Sequence, residues 1–253
     1  MRLKIKIFLK NKMKKEIEIC AIIPARSGSK IVKNKNILKI NGKYSFYYSI
    51  KAGQKSKYIQ KVVFSSDSKL YLNLAKKFNP DILHLRSKKN SRAYSSDLDF
   101  LKEIYKFLKN EYNYKPDVFA LLRANNPTKS LYDINSAINI FIKKYNKLSS
   151  LRSIQKMQET SYKTFIIKNK KLLGALSRSS NIDKLNYPKE KYKDTYSGNG
   201  SIDLIKTKNL EKNNLFGNKC YGYVTKHICV DIDYENDIHY ADYVLKNFKN
   251  YVV

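Results

Sequence analysis

Short, mostly apolar runs alternate with longer amphipathic stretches along most of this chain. The runs contain many β-branched and aromatic residues, which predicts buried strands. They cover residues 19–23, 62–67, 82–86, 118–122, 150–154, 201–205 and 228–232. The amphipathic stretches repeat their apolar positions every three or four residues, which predicts helices. They cover residues 44–55, 70–78, 98–112, 132–145 and 238–248.

Strands that alternate with helices in this way predict an α/β fold, with a mostly parallel sheet covered by helices on both faces. Ligands of such sheets bind beyond the carboxyl ends of the strands. Arg26, Asp67, Arg86 and Arg123 each stand at or just after the end of a predicted strand. We therefore expect these side chains to lie around one site.

The pattern loosens between residues 157 and 194, where a hairpin over residues 164–176 is predicted to turn at Asn169 and Lys170. Long excursions from a compact α/β domain are often functional or interfacial. No linker divides the rest, so residues 16–253 are predicted to form a single domain after an extension over residues 1–15. That extension is too short and too charged for a signal peptide or membrane anchor, and Met13 is an alternative start.

Composition narrows the class of protein. No run approaches the roughly 18 apolar residues of a membrane span. Three cysteines, an odd number without zinc spacing, favour a reducing compartment and predict a cytoplasmic protein. A net charge of +30 usually indicates nucleic acid. Only seven of the 51 basic residues are arginines, however, and the lysines are spread along the chain. The charge therefore favours anionic substrates over specific nucleic-acid binding.

A loop of small and basic residues follows the first predicted strand. It contains Arg26, Ser27 and Lys30, and Lys35 and Asn36 come shortly after it. Backbone N–H groups and cations in a strand–loop–helix arrangement hold phosphates in many α/β proteins. The glycine spacing of a Walker loop or a dinucleotide-binding motif is missing. A solvated turn is the alternative interpretation.

Two aspartates near the end of the chain form a second candidate site. The period-2 spacing of a strand puts Asp231 and Asp233 on one face. Carboxylates placed so closely repel each other unless a cation lies between them, and Mg²⁺ prefers such oxygen ligands. The alternative is that acids of this segment cap the last helix, a role that we expect for Asp237.

The loop also resembles the signature of a known family. Residues 21–26, then Ser29-Lys30 and Lys35-Asn36, are similar to the I-P-A-R-G-G-S-K-G-I-x-x-K-N motif of the acylneuraminate cytidylyltransferases. Ser27 and Ile31 stand where the family has glycines. Segments at residues 85–97, 121–127, 196–202 and 230–237 resemble later family segments in the same order. The resemblance covers the chain from about residue 18 to residue 247.

This resemblance implies a Rossmann-like nucleotidyltransferase fold and a Mg²⁺-dependent reaction. CTP and a nonulosonic acid of sialic, legionaminic or pseudaminic type would give a CMP-sugar and pyrophosphate, in a homodimer formed through residues 157–194. The implied catalytic residues are Arg26, Lys35, Asp231 and Asp233, the last two as metal ligands. The implied nucleotide-binding residues are Ala25, Arg26, Ser27, Lys30, Lys35, Asn36, Arg86, Ser96 and Asp97. The implied sugar-binding residues are Arg123, Lys163, Lys189 and Asn199.

Several positions allow a second interpretation or depart from the family. Asp97 either accepts a hydrogen bond from the cytosine amino group or caps the helix predicted from residue 98. Lys189 stands roughly where many members have an arginine for the substrate carboxylate. Ser87 and Ala93 replace family residues in the segment that reads the base. The alternatives are a 3-deoxy-manno-octulosonate cytidylyltransferase, a polyanion-binding protein and a catalytically degenerate member of the family.

Overall fold

The computed structural model of this chain describes residues 16–29, 31–92 and 94–252. The extension over residues 1–15, Lys30 and Ala93 lie outside the described residues. The strands are β1 (Ile19–Pro24), β2 (Lys39–Ile40), β3 (Lys43–Tyr44), β4 (Lys61–Ser66), β5 (Ile82–Leu85), β6 (Val118–Leu121), β7 (Ser150–Lys156), β8 (Phe165–Lys168), β9 (Lys171–Gly174), β10 (Tyr196–Lys206) and β11 (Cys220–Val224). The α-helices are α1 (Ser45–Lys55), α2 (Lys69–Lys76), α3 (Asp97–Tyr112), α4 (Leu131–Lys143), α5 (Thr207–Glu211) and α6 (Glu235–Asn247).

A seven-stranded sheet in the order β11-β7-β10-β6-β1-β4-β5 forms the centre of the fold. Strands β6, β1, β4 and β5 run parallel to one another, and β7 pairs in parallel with β11. Strand β10 is antiparallel to both of its neighbours. The predicted mostly parallel sheet is therefore confirmed.

Helices cover both faces of the sheet because the side chains that its strands direct to either face are apolar. In β1, Ala21 and Ile23 face a cluster built with α1, α2 and α4. Cys20 and Ile22 face the opposite cluster, which is built with α3 and α5. Near-continuous apolar strands of this kind are typical of parallel sheets buried on both faces.

The predicted helices are confirmed, with their bounds shifted by at most three residues. Three serines fix where helices begin. The side-chain oxygens of Ser68, Ser96 and Ser130 accept hydrogen bonds from backbone N–H groups in the first turns of α2, α3 and α4, respectively. A serine in this position satisfies one of the N–H groups that a helix leaves unpaired at its start.

The predicted strand over residues 228–232 is wrong. This segment is extended, but its backbone pairs with the loop that follows β6 instead of with a strand. The N–H of Val230 donates to Thr128 Oγ1 (2.8 Å), and the N–H of Ile232 donates to the carbonyl of Asn125 (2.9 Å). The sequence pattern also missed β11 and the small β2–β3 hairpin, whose short and partly polar runs carry little period-2 signal.

Helix α6 holds this extended segment in place. Val230 and Ile232 are buried against Ala241, Val244 and Leu245 of α6, in a cluster separate from the two sheet faces. Burying a side chain of this size stabilises a fold by about 1.5–3 kcal/mol. The apolar residues on either side of Asp231 therefore anchor its backbone.

The hairpin predicted within residues 157–194 is confirmed. Strands β8 and β9 pair only with each other among the described strands. Asn169 (φ 51°) and Lys170 (φ 60°) form the turn, and positive φ at both central residues is the geometry that suits a two-residue hairpin. Within the described residues, no helix is both long enough and apolar enough to cross a membrane. The cytoplasmic location stays a prediction.

Candidate active site

A cleft of about 320 Å³ opens at the carboxyl ends of β1, β5 and β6 and extends over β10 and β7. This is the edge at which open α/β sheets bind their ligands. The residues that line it are Pro24, Arg26, Lys35, Asn36, Arg86, Asn90, Arg92, Ser95, Asp97, Phe100, Arg123, Asn125, Arg152, Gly198, Gly200 and Asp231. Larger hollows lie elsewhere, but this cleft brings together six of the predicted charged residues, namely Arg26, Lys35, Arg86, Asp97, Arg123 and Asp231.

Arginines are concentrated in this cleft. Five of the seven in the chain line it, whereas Lys35 is the one lysine among the described lining residues. The five are Arg26, Arg86, Arg92, Arg123 and Arg152. The planar guanidinium matches carboxylate and phosphate groups with two parallel hydrogen bonds, which an ammonium cannot do. In a chain dominated by lysine, this concentration indicates a site for oxyanions.

Hydrogen bonds from side chains shape the loop after β1. The backbone N–H and the hydroxyl of Ser27 donate to the two carboxylate oxygens of Asp67, at 2.8 and 2.9 Å. The buried Asn36 donates to the carbonyl of Arg26 (2.8 Å). Ser27 thus replaces a family glycine with a group that ties the loop to β4. Ile31, the other replacement, is 66% exposed.

Asp231 and Asp233 lie in very different environments. Oδ1 of Asp231 is buried and accepts no hydrogen bond from any residue in the described ranges. Burial, followed by the nearby charge of Asp233, raises the pKa of Asp231 to about 6. Asp233 is exposed and pairs with Lys35 (Nζ–Oδ1 2.6 Å). Asp237 caps α6, as predicted, by accepting from the N–H groups of Asp233 and Tyr234 (2.9 and 2.7 Å).

Arg123 lies between two carboxylates in the cleft. Its guanidinium donates to both carboxylate oxygens of Asp97 and lies 3.8 Å from the buried Asp203. Asp97 is the first residue of α3, and Ser96 is the cap. The alternative interpretation of Asp97 as the helix cap is therefore wrong.

Arg86 lies buried in the wall of the cleft, directly after β5. Its guanidinium stacks on the ring of Phe100, 4.3 Å from the centroid, and its two contacts with Ser65 are long, at 3.4 Å. Burial lowers the pKa of Arg86 to about 10. Glu103 organises the loop that follows by accepting from the N–H and hydroxyl of Ser87 (2.7 and 2.6 Å). Arg86 is thus a desolvated cation with weak protein partners.

A bulge in β10 brings backbone to the centre of the cleft. The pairing of β10 with β7 slips between Gly198 and Asp203, as occurs beside many active sites. At Gly200 (φ 65°), a Cβ would lie 3.2 Å from Oδ2 of Asp231, so a side chain would be strained there and would crowd this carboxylate. The fully buried Lys129 holds the bulge by donating to the carbonyls of Gly200 and Ser201, both at 2.9 Å.

The predicted sugar-binding residues are dispersed. Asn199 is buried under the bulge and donates to Thr225 Oγ1 (2.8 Å). Lys163 ends the turn Ser161–Lys163, in the excursion and outside the cleft. Lys189 lines a separate groove of about 420 Å³. Of this group, Arg123 lines the cleft.

Sequence reasoning missed Arg92, Arg152 and Lys129. Arg152 lies inside a predicted strand and Lys129 in a loop, and neither stands in a motif that the sequence singled out. For Arg92 and Arg152 the available signal was the scarcity of arginine, since the chain has only seven arginines among its 51 basic residues. No sequence signal marked Lys129.

The parallel core, the antiparallel β10 and the basic cleft define a nucleotidyltransferase-like α/β protein. Its fold is shared with CMP:2-keto-3-deoxy-manno-octonic acid synthetase complexed with CTP (TM-score 0.62, 14% identity, covering 90% of this chain and 98% of that one). It is also shared with 4-diphosphocytidyl-2C-methyl-D-erythritol synthase from Anaerococcus prevotii (TM-score 0.61, 14% identity, 92% and 97%). These likenesses confirm the predicted fold.

The family described as Cytidylyltransferase matches residues 20–161, more than half of the chain, so this protein belongs to that family. N-acylneuraminate cytidylyltransferase of Escherichia coli is 28% identical over 230 residues, 88% of this chain and 51% of the relative. This chain therefore spans about half the length of that relative. Post-translational flagellin modification protein B of Campylobacter coli is 25% identical over 232 residues (90% and 95%). Pseudaminic acid cytidylyltransferase of Campylobacter jejuni is 31% identical over 126 residues (50% and 54%).

Proposed function

We propose that this protein is a Mg²⁺-dependent cytidylyltransferase that transfers CMP from CTP to a nonulosonic acid and releases pyrophosphate. The observation that carries the proposal is the buried, unpartnered carboxylate oxygen of Asp231 in a cleft lined by five arginines. Relatives of this chain are named for N-acylneuraminate and pseudaminic acid, which supports an acceptor of that class. Sialic, legionaminic and pseudaminic acids are the candidates.

The loop after β1 is assigned to the triphosphate. Arg26 and Lys35 line the cleft, and we assign Lys30 to the same task on the resemblance alone. Cations held against the leaving phosphates stabilise the charge that develops during phosphoryl transfer. The N–H groups of Ala25 and Ser27 donate to the carbonyl of Ser65 and to Asp67 (both at 2.8 Å), so these two residues would hold the shape of the loop around the triphosphate.

Arg86 is the best-placed of the residues assigned to the cytosine base. Ser96 caps α3 and Asp97 pairs with Arg123, so both have partners inside the protein. Arg86 keeps donors available because its contacts with Ser65 are long. A stacked, desolvated guanidinium is well suited to donate to a base carbonyl.

The carboxylates fit a hard divalent cation. No group of three or more metal-ligating side chains occurs within the described residues, but Mg²⁺ is commonly held by one or two carboxylates together with substrate phosphates. Asp231 and Asp233 would hold it, and a cation would satisfy the orphan oxygen of Asp231. When bound, Mg²⁺ would neutralise phosphate charge and lower the pKa of the attacking hydroxyl. Lys35 neutralises Asp233 in this structure.

We also propose a homodimer in which residues 157–194 pack against the partner's cleft. Exposed apolar side chains on the β8–β9 hairpin, among them Ile167 (77% exposed) and Leu172 (46%), support a surface that is covered by another chain. Lys163 and Lys189 lie in this excursion, outside the cleft of their own chain. Packing of this kind would bring them to the partner's sugar acid. The buried Asn199 would instead support the β10 bulge in the wall of the cleft of its own chain.

The test is direct incubation of the protein with CTP, Mg²⁺ and each acid, followed by detection of the CMP-sugar. The acids are N-acetylneuraminic, legionaminic, pseudaminic and 3-deoxy-manno-octulosonic acid. We expect transfer to one of the first three, and EDTA to abolish it. Preferred transfer to the fourth would favour the octulosonate alternative. Binding of CTP without transfer to any acid would indicate a catalytically degenerate member of the family.

A further inference from the structure

Arg152 lies at the opposite end of the cleft from Arg26 and Arg86. It is carried by β7, which the sheet order separates from β1 by β6 and β10. Three strand spacings of about 4.8 Å place β7 roughly 14 Å from the strand that carries the phosphate loop. Arg26 and Arg86 therefore lie at one end of the cleft, and Arg152 lies at the other.

Three contacts hold the Arg152 side chain over the cleft. Nε lies 3.7 Å from Oδ1 of the buried Asp203, and the guanidinium lies 5.2 Å from the centre of the Phe216 ring. The side chain also lies across Gly198, where a Cβ would come within 2.8 Å of Nε. Because residue 198 has no side chain, the guanidinium can lie directly against the backbone there. Its orientation is therefore set before any ligand arrives.

The donors of Arg152 are unused although the side chain is anchored. Its side chain is 43% exposed, and it donates no hydrogen bond to any residue in the described part of the chain. Asp203 is shared with Arg123, and its distances to the two guanidinium groups (3.7 and 3.8 Å) exceed hydrogen-bond length. Arg123, by contrast, is committed to Asp97. Arg152 thus presents free N–H groups to the acceptor end of the cleft.

We propose that Arg152 binds the carboxylate of the acceptor acid from within the same chain and so determines that the acceptor must be an acid. The inference rests on the proposed transfer of CMP to a sugar acid. A carboxylate is the complement of a guanidinium fork, and such pairs are among the stronger hydrogen-bonded contacts in proteins. The expectation from the sequence gave this task to Lys189, which lies outside the cleft of its own chain.

The experiment crosses two variants with two substrates. The kcat/KM is measured at saturating CTP and Mg²⁺ with the nonulosonic acid that the wild type uses best and with its methyl ester. Arg152→Gln should lower kcat/KM for the acid about 10- to 100-fold, the range expected for a charged hydrogen-bonded contact, and leave the ester unchanged. Arg152→Lys keeps the positive charge beside Asp203. Its kcat/KM for the acid should therefore lie between those of the wild type and Arg152→Gln. The KM for CTP should not change.

Gly198→Ala tests the position of the Arg152 guanidinium without removing the guanidinium itself. The three atoms nearest to the added methyl all belong to the flexible end of the Arg152 side chain, so the fold should tolerate it. We expect the preference for acid over ester to fall by several-fold. Lys76→Gln, at an exposed cation in the last turn of α2 and outside both the cleft and residues 157–194, is the control and should leave the preference intact.

Three outcomes would overturn the inference. If Arg152→Gln transfers CMP and keeps the full preference for the acid, another residue binds the acceptor's carboxylate, while the proposed function stands. If Lys189→Gln removes the preference in its place, a partner's excursion binds the carboxylate. If the wild type neither transfers CMP nor binds any of the four acids by calorimetry in the presence of CTP, the proposed function and the role of Arg152 both fail.

Discussion

Arg123 and Asp97 form a two-pronged ion pair across the floor of the cleft. Nη1 of Arg123 donates to Oδ1 of Asp97 (3.1 Å), and Nη2 donates to Oδ2. Both side chains are about one-quarter exposed, so solvent screens the pair only in part. The contact ties the loop after β6 to the first turn of α3 and uses the carboxylate that the sequence assigned to the cytosine base.

We predict that this pair couples the two residues energetically. In a double-mutant cycle with Arg123→Gln and Asp97→Asn, the free energies of unfolding should show a coupling of about 1–3 kcal/mol, because each single variant leaves a partly buried charge without its partner. Urea denaturation of the four proteins measures it. Single effects that add to within about 0.5 kcal/mol would contradict the prediction.

Asp231→Asn should stabilise the fold and impair the reaction. Burial raises the pKa of Asp231 from 3.8 to about 6, so at pH 7.5 the fold carries the cost of an ionised buried group. Removing that charge should raise the free energy of unfolding by about 1–2 kcal/mol, after allowance for the side chain's partial access to solvent. Turnover with Mg²⁺ should fall by roughly 10²-fold or more.

The pH dependence provides an internal control for Asp231→Asn. Because the folded pKa of Asp231 is raised, its unfavourable contribution disappears as pH falls through about 6 towards 4, where the carboxyl is protonated. The stability difference between wild type and variant should therefore shrink over that range. Asp233→Asn, at an exposed residue, should lower turnover without stabilising the fold. Full activity in both variants would refute the metal assignment.

The β8–β9 hairpin should carry the dimer contact. Ile167→Lys places a charge on a side chain that is 77% exposed in the single chain and should shift a homodimer towards monomer in light scattering at micromolar concentration. Leu70→Lys is the matched control, since Leu70 is 60% exposed on α2, away from the hairpin. A wild type that is monomeric, or a dimer unaffected by Ile167→Lys, would exclude this interface.

His84 should make the fold sensitive to acid. Burial lowers the pKa of His84 to about 4, and its ring lies between Ser65 and Glu103. A lowered folded pKa gives stability that is complete above pH 6.5 and is lost as pH falls towards 4, by about 2–3 kcal/mol. Urea denaturation between pH 7.5 and 4.5 should show a smaller loss in His84→Gln. Equal losses in both proteins would contradict this explanation.

The sequence by itself determined the class of fold and part of the set of charged residues that line the cleft. Apolar runs and amphipathic repeats act over a few residues, so strands such as β1 and helices such as α2, α3 and α4 can be identified locally. The hairpin turn at Asn169 and Lys170 was equally local. The loop motif likewise indicated the family from residues that lie close together in the chain.

Only the tertiary structure decided which of these groups meet. Residues 228–232 look like a strand, but their partners are Thr128 and Asn125, about a hundred residues earlier. Arg152 reads as an ordinary strand residue until sheet register sets it opposite Asp203. The local pattern of apolar residues indicates which side chains are buried and whether a segment is a helix or a strand. Which strands pair, however, depends on their register and on loop closure between segments that are distant in the chain. The charge partners and the shape of the cleft therefore emerge only when the sheet has formed.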